Sequence, residues 1–247
     1  MNIENVYAGN LALAFQRISQ IIQRYNYISI DTEFPGYFKD SFELSKQLNK
    51  PLQSSTTFDV FKNNINNLKL IQFGIAFSDA NGNSPKPAAF QFNFKFDIER
   101  DVIEPQSRSF LKESFNSSEL ERLKYEGICP VNFSNYFLQS GLVANANLKW
   151  FLFHGNQDIG YLIRALVFSD IVTQNELKER INRMFPLIYD IKTTFGWDFG
   201  LNALSQQEGV GREGTEHQAG SDALLTLRIA MKKKEWGECG IYWGNDM

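Results

Sequence analysis

Ten residues, Tyr27-Ile-Ser-Ile-Asp31-Thr-Glu33-Phe-Pro-Gly36, restrict the possible folds of this chain more than any other stretch. The run alternates and is rich in β-branched residues, which is the pattern of a strand. Ile28 and Ile30 then face one side, and Asp31 and Glu33 share the other, because alternate side chains of a strand point the same way. Pro35-Gly36 stops the strand directly after the acids,. Two carboxylates side by side at the end of a buried strand repel each other unless a cation sits between them. Asp-x-Glu by itself leaves two readings open. Either the acids are solvated on an exposed face, or they form one wall of a cation site at a sheet edge, where ligands collect.

The chain has 247 residues, 43% of them hydrophobic, and 22 phenylalanines. A sizeable core is therefore within reach, and a disordered chain is excluded. With no internal repeat, low-complexity block or long linker, residues 1–247 read as a single domain. Net charge is −3, so no general basic field draws in nucleic acid. A polyanionic substrate would need local Lys/Arg or bound metal ions. Cys129 and Cys239 are far apart and match no metal-ligand spacing, which points to free thiols in a reducing compartment. The N-terminus lacks a basic segment followed by an apolar run, and nothing approaches a membrane span. The expectation is a soluble, intracellular protein without membrane attachment.

Periodicity outlines the remaining elements. Asn10 is placed to cap a helix over 11–24, and the first strand follows over 27–34. Residues 37–57 read as a long polar connection, followed by a short helix over 58–65. Strands over 68–77 and 89–96 flank the turn-forming segment 79–87, predicting an antiparallel hairpin. In the second of these, Phe90, Phe92, Phe94 and Phe96 alternate strictly and read as core,. Helices are expected over 107–114, 118–126, 132–139, 158–168, 175–185, 201–207 and 218–234, with strands over 148–153 and 187–190. A hairpin followed by alternating strands and helices implies an α/β fold, a mixed sheet with helices on its faces.

Two further acidic elements bear on Asp31 and Glu33. His217-Gln-Ala-Gly-Ser-Asp222 opens the last helix and holds one of two histidines. A carboxylate fixed on a helix with an imidazole just before it suits a metal ligand beside a proton acceptor. Equally, both are polar groups of the kind that cap helix starts. Asp158 lies where a strand meets a helix, and could cap that helix or present its carboxylate to a cation.

The order Asp-x-Glu, Asp, His-x4-Asp resembles the DEDD superfamily of 3′-to-5′ exonucleases, in its histidine-containing branch. The strings Asp31-Thr-Glu-Phe-Pro-Gly36, Leu70-Ile-Gln72, Gln91-Phe-Asn-Phe-Lys-Phe96, Phe153-His154 with Asp158, Ile188-Tyr-Asp-Ile-Lys192 and His217-Gln-Ala-Gly-Ser-Asp222 narrow it further. Together they resemble the catalytic deadenylase subunit of the CCR–NOT complex, the Caf/Pop type, from about residue 5 to residue 226. This resemblance implies an RNase H-like DEDD exonuclease fold and removal of poly(A) tails from mRNA. It implies that Asp31, Glu33, Asp158 and Asp222 hold two divalent cations, Mg²⁺ or Mn²⁺, with His217 as general base. It implies poly(A) RNA as substrate, a NOT-type scaffold and an EEP-type nuclease as partners, and residence in the cytoplasm and nucleus. A general DEDD exonuclease on short RNA or DNA, and a scaffold subunit with vestigial activity, are the competing functions.

The chain departs from the family pattern in several places, one of them Glu216, an added carboxylate beside His217. Gly155-Asn-Gln157 stand where the family carries Ser-Gly-Tyr, and Ile159 stands where an aromatic is common. Segments 37–57 and 193–197 differ as well. Phe34 borders the acids and is a candidate for stacking a terminal base, or else packs in the interior. His154 and Asp190 read as groups that orient others rather than react. The basic run after Met231 reads as complementing the helix dipole.

Overall fold

The computed structural model describes residues 2–195, 199–241 and 243. Among them the strands form one six-stranded sheet in the order β1-β4-β3-β2-β5-β6. These are β1 (Ile3–Val6), β2 (Tyr27–Glu33), β3 (Gln72–Ser78), β4 (Ala89–Asn93), β5 (Lys149–Leu152) and β6 (Ile188–Asp190). The expected hairpin is present, β3 pairing antiparallel with β4, and β2 pairs antiparallel with β3. The β1–β4, β2–β5 and β5–β6 pairs are parallel, so the sheet is mixed. β2 is an interior strand, and its acids sit at the end of the sheet rather than along a lateral edge.

One face carries the main core. Ile28 and Ile30 of β2, Phe73 and Ile75 of β3 and Phe90 and Phe92 of β4 are buried there. They pack under α1 (Leu11–Ile21), α3 (Thr57–Asn67), α6 (Pro130–Gln139), α7 (Asn156–Val167) and α8 (Gln174–Met184). Phe133 of α6 meets Phe73, Phe92 and Phe94 edge-on at 5.5, 5.3 and 4.9 Å, the geometry that aromatic quadrupoles favour. The phenylalanine stripe is core as expected, but it divides. β4 ends at Asn93, Phe94 bridges to Ile128, and Phe96 joins a smaller cluster with Ile71, Leu111, Phe115 and Leu123. That cluster rests on α4 (Ser107–Ser114) and α5 (Ser117–Glu126).

Several elements differ from the sequence expectation. β1 was not anticipated, because four residues of mixed polarity carry no alternation of their own. The 37–57 connection contains α2 (Ser41–Leu48), capped by Asp40, whose carboxylate accepts the Phe42 N–H at 2.9 Å. Only Ser41 and Leu44 of α2 are buried while Phe42 is exposed, so no apolar stripe announces this helix. α7 starts at Asn156, which puts Asp158 inside its first turn and not at its cap. A one-turn α9 (Lys192–Phe195) follows β6 and precedes α10 (Leu201–Gln207). Gly196 and Trp197 of the divergent 193–197 segment lie outside the described residues. No described helix is long and apolar enough to cross a membrane.

The opposite face of the sheet is covered by α11 (Ala219–Lys233), which lies on β2, β3 and β4. Strand register builds two polar rows beneath its N-terminus. One row is Asp31, Gly74, Gln91 and Asn5, and the other is Glu33, Gln72 and Asn93. Gln218 contributes no side-chain cap to α11. Instead the Gln72 side-chain oxygen accepts the Ala219 N–H at 3.2 Å, and that of Gln91 accepts the Gly220 N–H at 2.9 Å. The Gln218 side-chain oxygen accepts from both Gln72 and Gln91 at 3.0 Å. Sheet amides thus satisfy N–H groups that the start of a helix leaves unpaired.

Gly74 makes this contact possible. A Cβ on Gly74 would stand 1.9 Å from the Ala219 carbonyl oxygen and 2.6 Å from the Gly220 nitrogen, and backbone atoms cannot rotate aside. Gly74→Ala should therefore destabilise the fold by about 3 kcal/mol. Urea unfolding followed by circular dichroism measures this, and a wild-type midpoint would show that helix and sheet do not need such close contact.

Candidate active site

Three chain segments meet at the C-terminal end of β2. Asp31 and Glu33 project from the strand, and Asp222 from the first turns of α11. Each offers an oxygen such that the three oxygens lie within 4.8 Å of one another. Asp158 enters from α7, and its Oδ1 accepts the Thr32 N–H at 2.7 Å and the Thr32 hydroxyl at 2.6 Å. All four acids line one cleft of about 650 Å³, together with Phe34, His217 and Arg212.

The acids disturb one another strongly. Burial raises Asp31 well above the usual carboxylate range, and the charges of Asp158, Asp222 and Glu33 raise it further. Glu33 is pushed up to about 8 by burial, then by Asp222 and Asp158. Asp158 is pushed up to about 6 by burial, against the lowering effect of its bonds to Thr32. Asp222 is raised by burial and lowered in turn by Arg212. A cluster of this kind either keeps protons or receives a cation. Oxygens only, in a half-buried cleft, are the donor set that hard divalent cations take, so the residues fit such ions.

His217 stands at the mouth of the cleft with a half-exposed side chain. Its Nε2 is 3.5 Å from Glu216 Oε1, and its ring meets Phe110 edge-on at 4.8 Å. Its φ of +59° lies in the left-handed region that non-glycine residues seldom adopt. The first two N–H groups of α11 go to Gln72 and Gln91, while the Asp222 carboxylate reaches back to the His217 backbone just before the helix. Phe34 is partly buried and stacks on Tyr161 of α7 at 4.7 Å, so the packing reading holds for one of its faces while the ring still lines the cleft.

Asp190 is buried, and its carboxylate accepts backbone N–H groups of His154 at 2.8 Å, Gly155 at 3.1 Å and Lys192 at 3.1 Å. It holds the loop that leads into α7 and so fixes the origin of Asp158, in keeping with an orienting role. Sequence reading passed over Thr32, Arg212 and the structural use of Gln72, Gln91 and Gln218. Polar residues inside otherwise apolar strands are the signal that could have found Gln72 and Gln91. Arg212, in a segment without periodicity, gives no comparable sign.

A carboxyl with a raised folded-state pKa binds its proton more tightly when folded, so stability falls as pH rises from the unfolded to the folded value. For Glu33 that window runs from 4.5 to about 8, and for Asp158 from 3.8 to about 6. Melting temperature in EDTA should therefore drop as pH rises through these windows, and Mn²⁺ should remove most of the drop. Glu33→Gln should flatten the upper part. Scanning calorimetry across pH checks both points, and a flat profile in EDTA would contradict them.

Comparison with known proteins bears on this geometry. The family model described as CAF1 family ribonuclease matches residues 6–136. A probable CCR4-associated factor 1 homolog from Arabidopsis thaliana is 37% identical over 94% of this chain and 86% of its own length. The poly(A) ribonuclease pop2 of Schizosaccharomyces pombe is 34% identical over 92% of this chain and 68% of its own. Among solved structures, S. pombe Pop2p in its Mg²⁺- and Mn²⁺-bound form superposes with a TM-score of 0.85 at 31% identity, covering 95% of this chain and 93% of that one. A yeast CAF1 crystallised with the NOT1 MIF4G domain gives 0.76 at 26% identity, covering 94% and 88%. The sheet and its flanking helices therefore have the RNase H-like arrangement of the DEDD exonucleases. The chain belongs to the CAF1 ribonuclease family.

Proposed function

We propose that this protein is a 3′-to-5′ exoribonuclease that shortens the poly(A) tails of mRNA and releases AMP. The observation that carries the reading is the convergence of Asp31, Glu33, Asp158 and Asp222 in one cleft, with His217 at its mouth. The four acids would hold two divalent cations, Mg²⁺ or Mn²⁺. Bound there, such ions supply the positive charge that activates water on one side of the phosphorus and stabilises the leaving 3′-oxygen on the other. His217 takes the proton of the attacking water at a ring nitrogen, and its half-exposed position lets that proton pass to solvent. Phe34, held from behind by Tyr161, offers its remaining surface to the terminal base.

The cations also explain how a chain of net charge −3 can engage a polyanion. The metal-bound state of S. pombe Pop2p supports divalent ions, and the name of its poly(A) ribonuclease relative supports adenine-rich tails as substrate. The complex of yeast CAF1 with NOT1 supports docking on a NOT-type scaffold, and the reading adds an EEP-type nuclease as a second partner. A single domain acting in the cytoplasm and nucleus, without membrane attachment, completes the proposal.

Purified protein with Mg²⁺ or Mn²⁺ should shorten an RNA ending in oligo(A) and release AMP, and EDTA or Asp31→Ala should reduce this to background. His217→Ala should lower kcat by about 10²–10⁴-fold and leave Mn²⁺ binding intact. Shortening that persists in EDTA would overturn the metal chemistry. Equal rates on oligo(A), mixed RNA and DNA would remove the poly(A) preference and favour a general exonuclease.

A further inference from the structure

Arg212 is the cation in direct contact with the acid cluster among the described residues. Its Nη1 lies 2.6 Å from Asp222 Oδ1, and both side chains are largely buried, 18% and 10% exposed. The same Nη1 donates to the Ser221 hydroxyl at 2.9 Å. Nε and Nη2 both donate to the Asn202 side-chain oxygen. Ser221 in turn donates to the Glu213 carbonyl at 2.6 Å. Lys192, the other basic residue lining the cleft, is used elsewhere: it donates to the Phe199 carbonyl and covers the Phe153 ring at 5.0 Å.

We propose that Arg212 is a built-in counter-cation that holds Asp222 in place and lets the acid cluster fold before divalent ions bind. The inference rests on the metal-centre reading above and concerns a positioning residue, since Arg212 acts through Asp222. A guanidinium keeps its charge at any physiological pH and grips planar acceptors with a rigid fork. Clamped by Asn202 of α10 and by Ser221, the neighbour of Asp222 on α11, it cannot leave Asp222 without breaking these bonds. Its Nη1 closes on Asp222 Oδ1 while Asp222 still presents an oxygen within 4.8 Å of oxygens of Asp31 and Glu33, so the ion pair and the cation-binding arrangement coexist in one structure.

This role carries a thermodynamic signature. A fixed positive charge stabilises four crowded carboxylates most when no other cation is present, and repels an arriving cation. Its removal must therefore destabilise the empty protein more than the loaded one, and must tighten cation binding by the matching factor. A merely structural bridge between the α10 region and α11 would lower both states equally and leave binding unchanged.

The test is a set of full-length variants, Arg212→Gln, Arg212→Lys and Asn202→Ala, studied by Mn²⁺ titration calorimetry and by thermal melting in EDTA and in saturating Mn²⁺. Arg212→Gln should melt at least about 3 °C lower in EDTA, recover most of that loss in Mn²⁺, and bind Mn²⁺ about five-fold tighter or more. Arg212→Lys, which keeps the charge, should bind Mn²⁺ within about two-fold of wild type. Asn202→Ala, which loosens the clamp but leaves the charge, should fall between them. If Arg212→Gln folds only with Mn²⁺, the proposal is supported in its strongest form. Equal melting losses in both conditions with unchanged Mn²⁺ affinity, or weaker Mn²⁺ binding, would overturn it. If Arg212→Gln folds in neither condition, Arg212→Lys decides, and a changed Mn²⁺ affinity there overturns the proposal. Failure of the wild type to bind Mn²⁺ would overturn the metal-centre reading itself and this inference with it.

Discussion

The site depends on how closely the start of α11 approaches the sheet. Asp222 reaches Asp31 and Glu33 only because the Ala219–Gly220 peptide lies against Gly74, with no side chain between them. Gly74 is the residue paired with Asp31 across the β2–β3 ladder, so the helix comes closest where the acids project. Gln72 and Gln91 then convert proximity into register, by accepting the first two N–H groups of the helix. Without that amide row, the positive end of α11 would have to find its acceptors elsewhere. With it, the helix has one seat, and Asp222 has one position.

Such a seat brings the acids into mutual repulsion. Each of the four carboxyls is raised by burial, and three of those shifts are increased by its neighbours' charges. The fold offsets part of the conflict with Thr32 on Asp158 and with Arg212, which pairs with Asp222 and whose charge also lowers Asp31. Asp31 and Glu33, the pair on the strand, keep the largest upward shifts. The unresolved charge is thus concentrated on the two residues that stand between the helices carrying the other acids. That is where an arriving cation gains most, and where folding without one is most costly.

The strand bearing Asp31 and Glu33 was legible because a period of two is a local property, visible in ten residues. The hairpin of β3 and β4 was legible for the same reason, as was the helix carrying Asp222. What sequence could not show is lateral register. Nothing in the run from Gln72 to Ser78 states that Gly74 pairs with Asp31, or that Gln91 sits in the same row. β1 and α2 escaped notice because each buries too few side chains to create a pattern. Arg212 escaped because its partners, Asn202 and Asp222, are brought to it by tertiary structure alone. The family resemblance located the acids in the chain, but the contacts that hold them had to come from the fold.

The altered loop before Asp158 shows how the arrangement tolerates change. Gly155-Asn156-Gln157 stand where the sequence resemblance implies Ser-Gly-Tyr, and Asp158 lines the cleft with the other acids. Asp190 explains the tolerance, because it grips the backbone N–H groups of His154 and Gly155, contacts that do not depend on the side chains at 156 and 157. Thr32 anchors Asp158 from the other side, through one backbone and one hydroxyl donor. The acid is therefore set by β2 and β6, two strands of one sheet, with β5 between them carrying neither contact. Side chains at 156 and 157 are left to shape the wall of the cleft. A loop built this way separates what positions the reacting centre from what meets the substrate, so one can vary while the other stays in place.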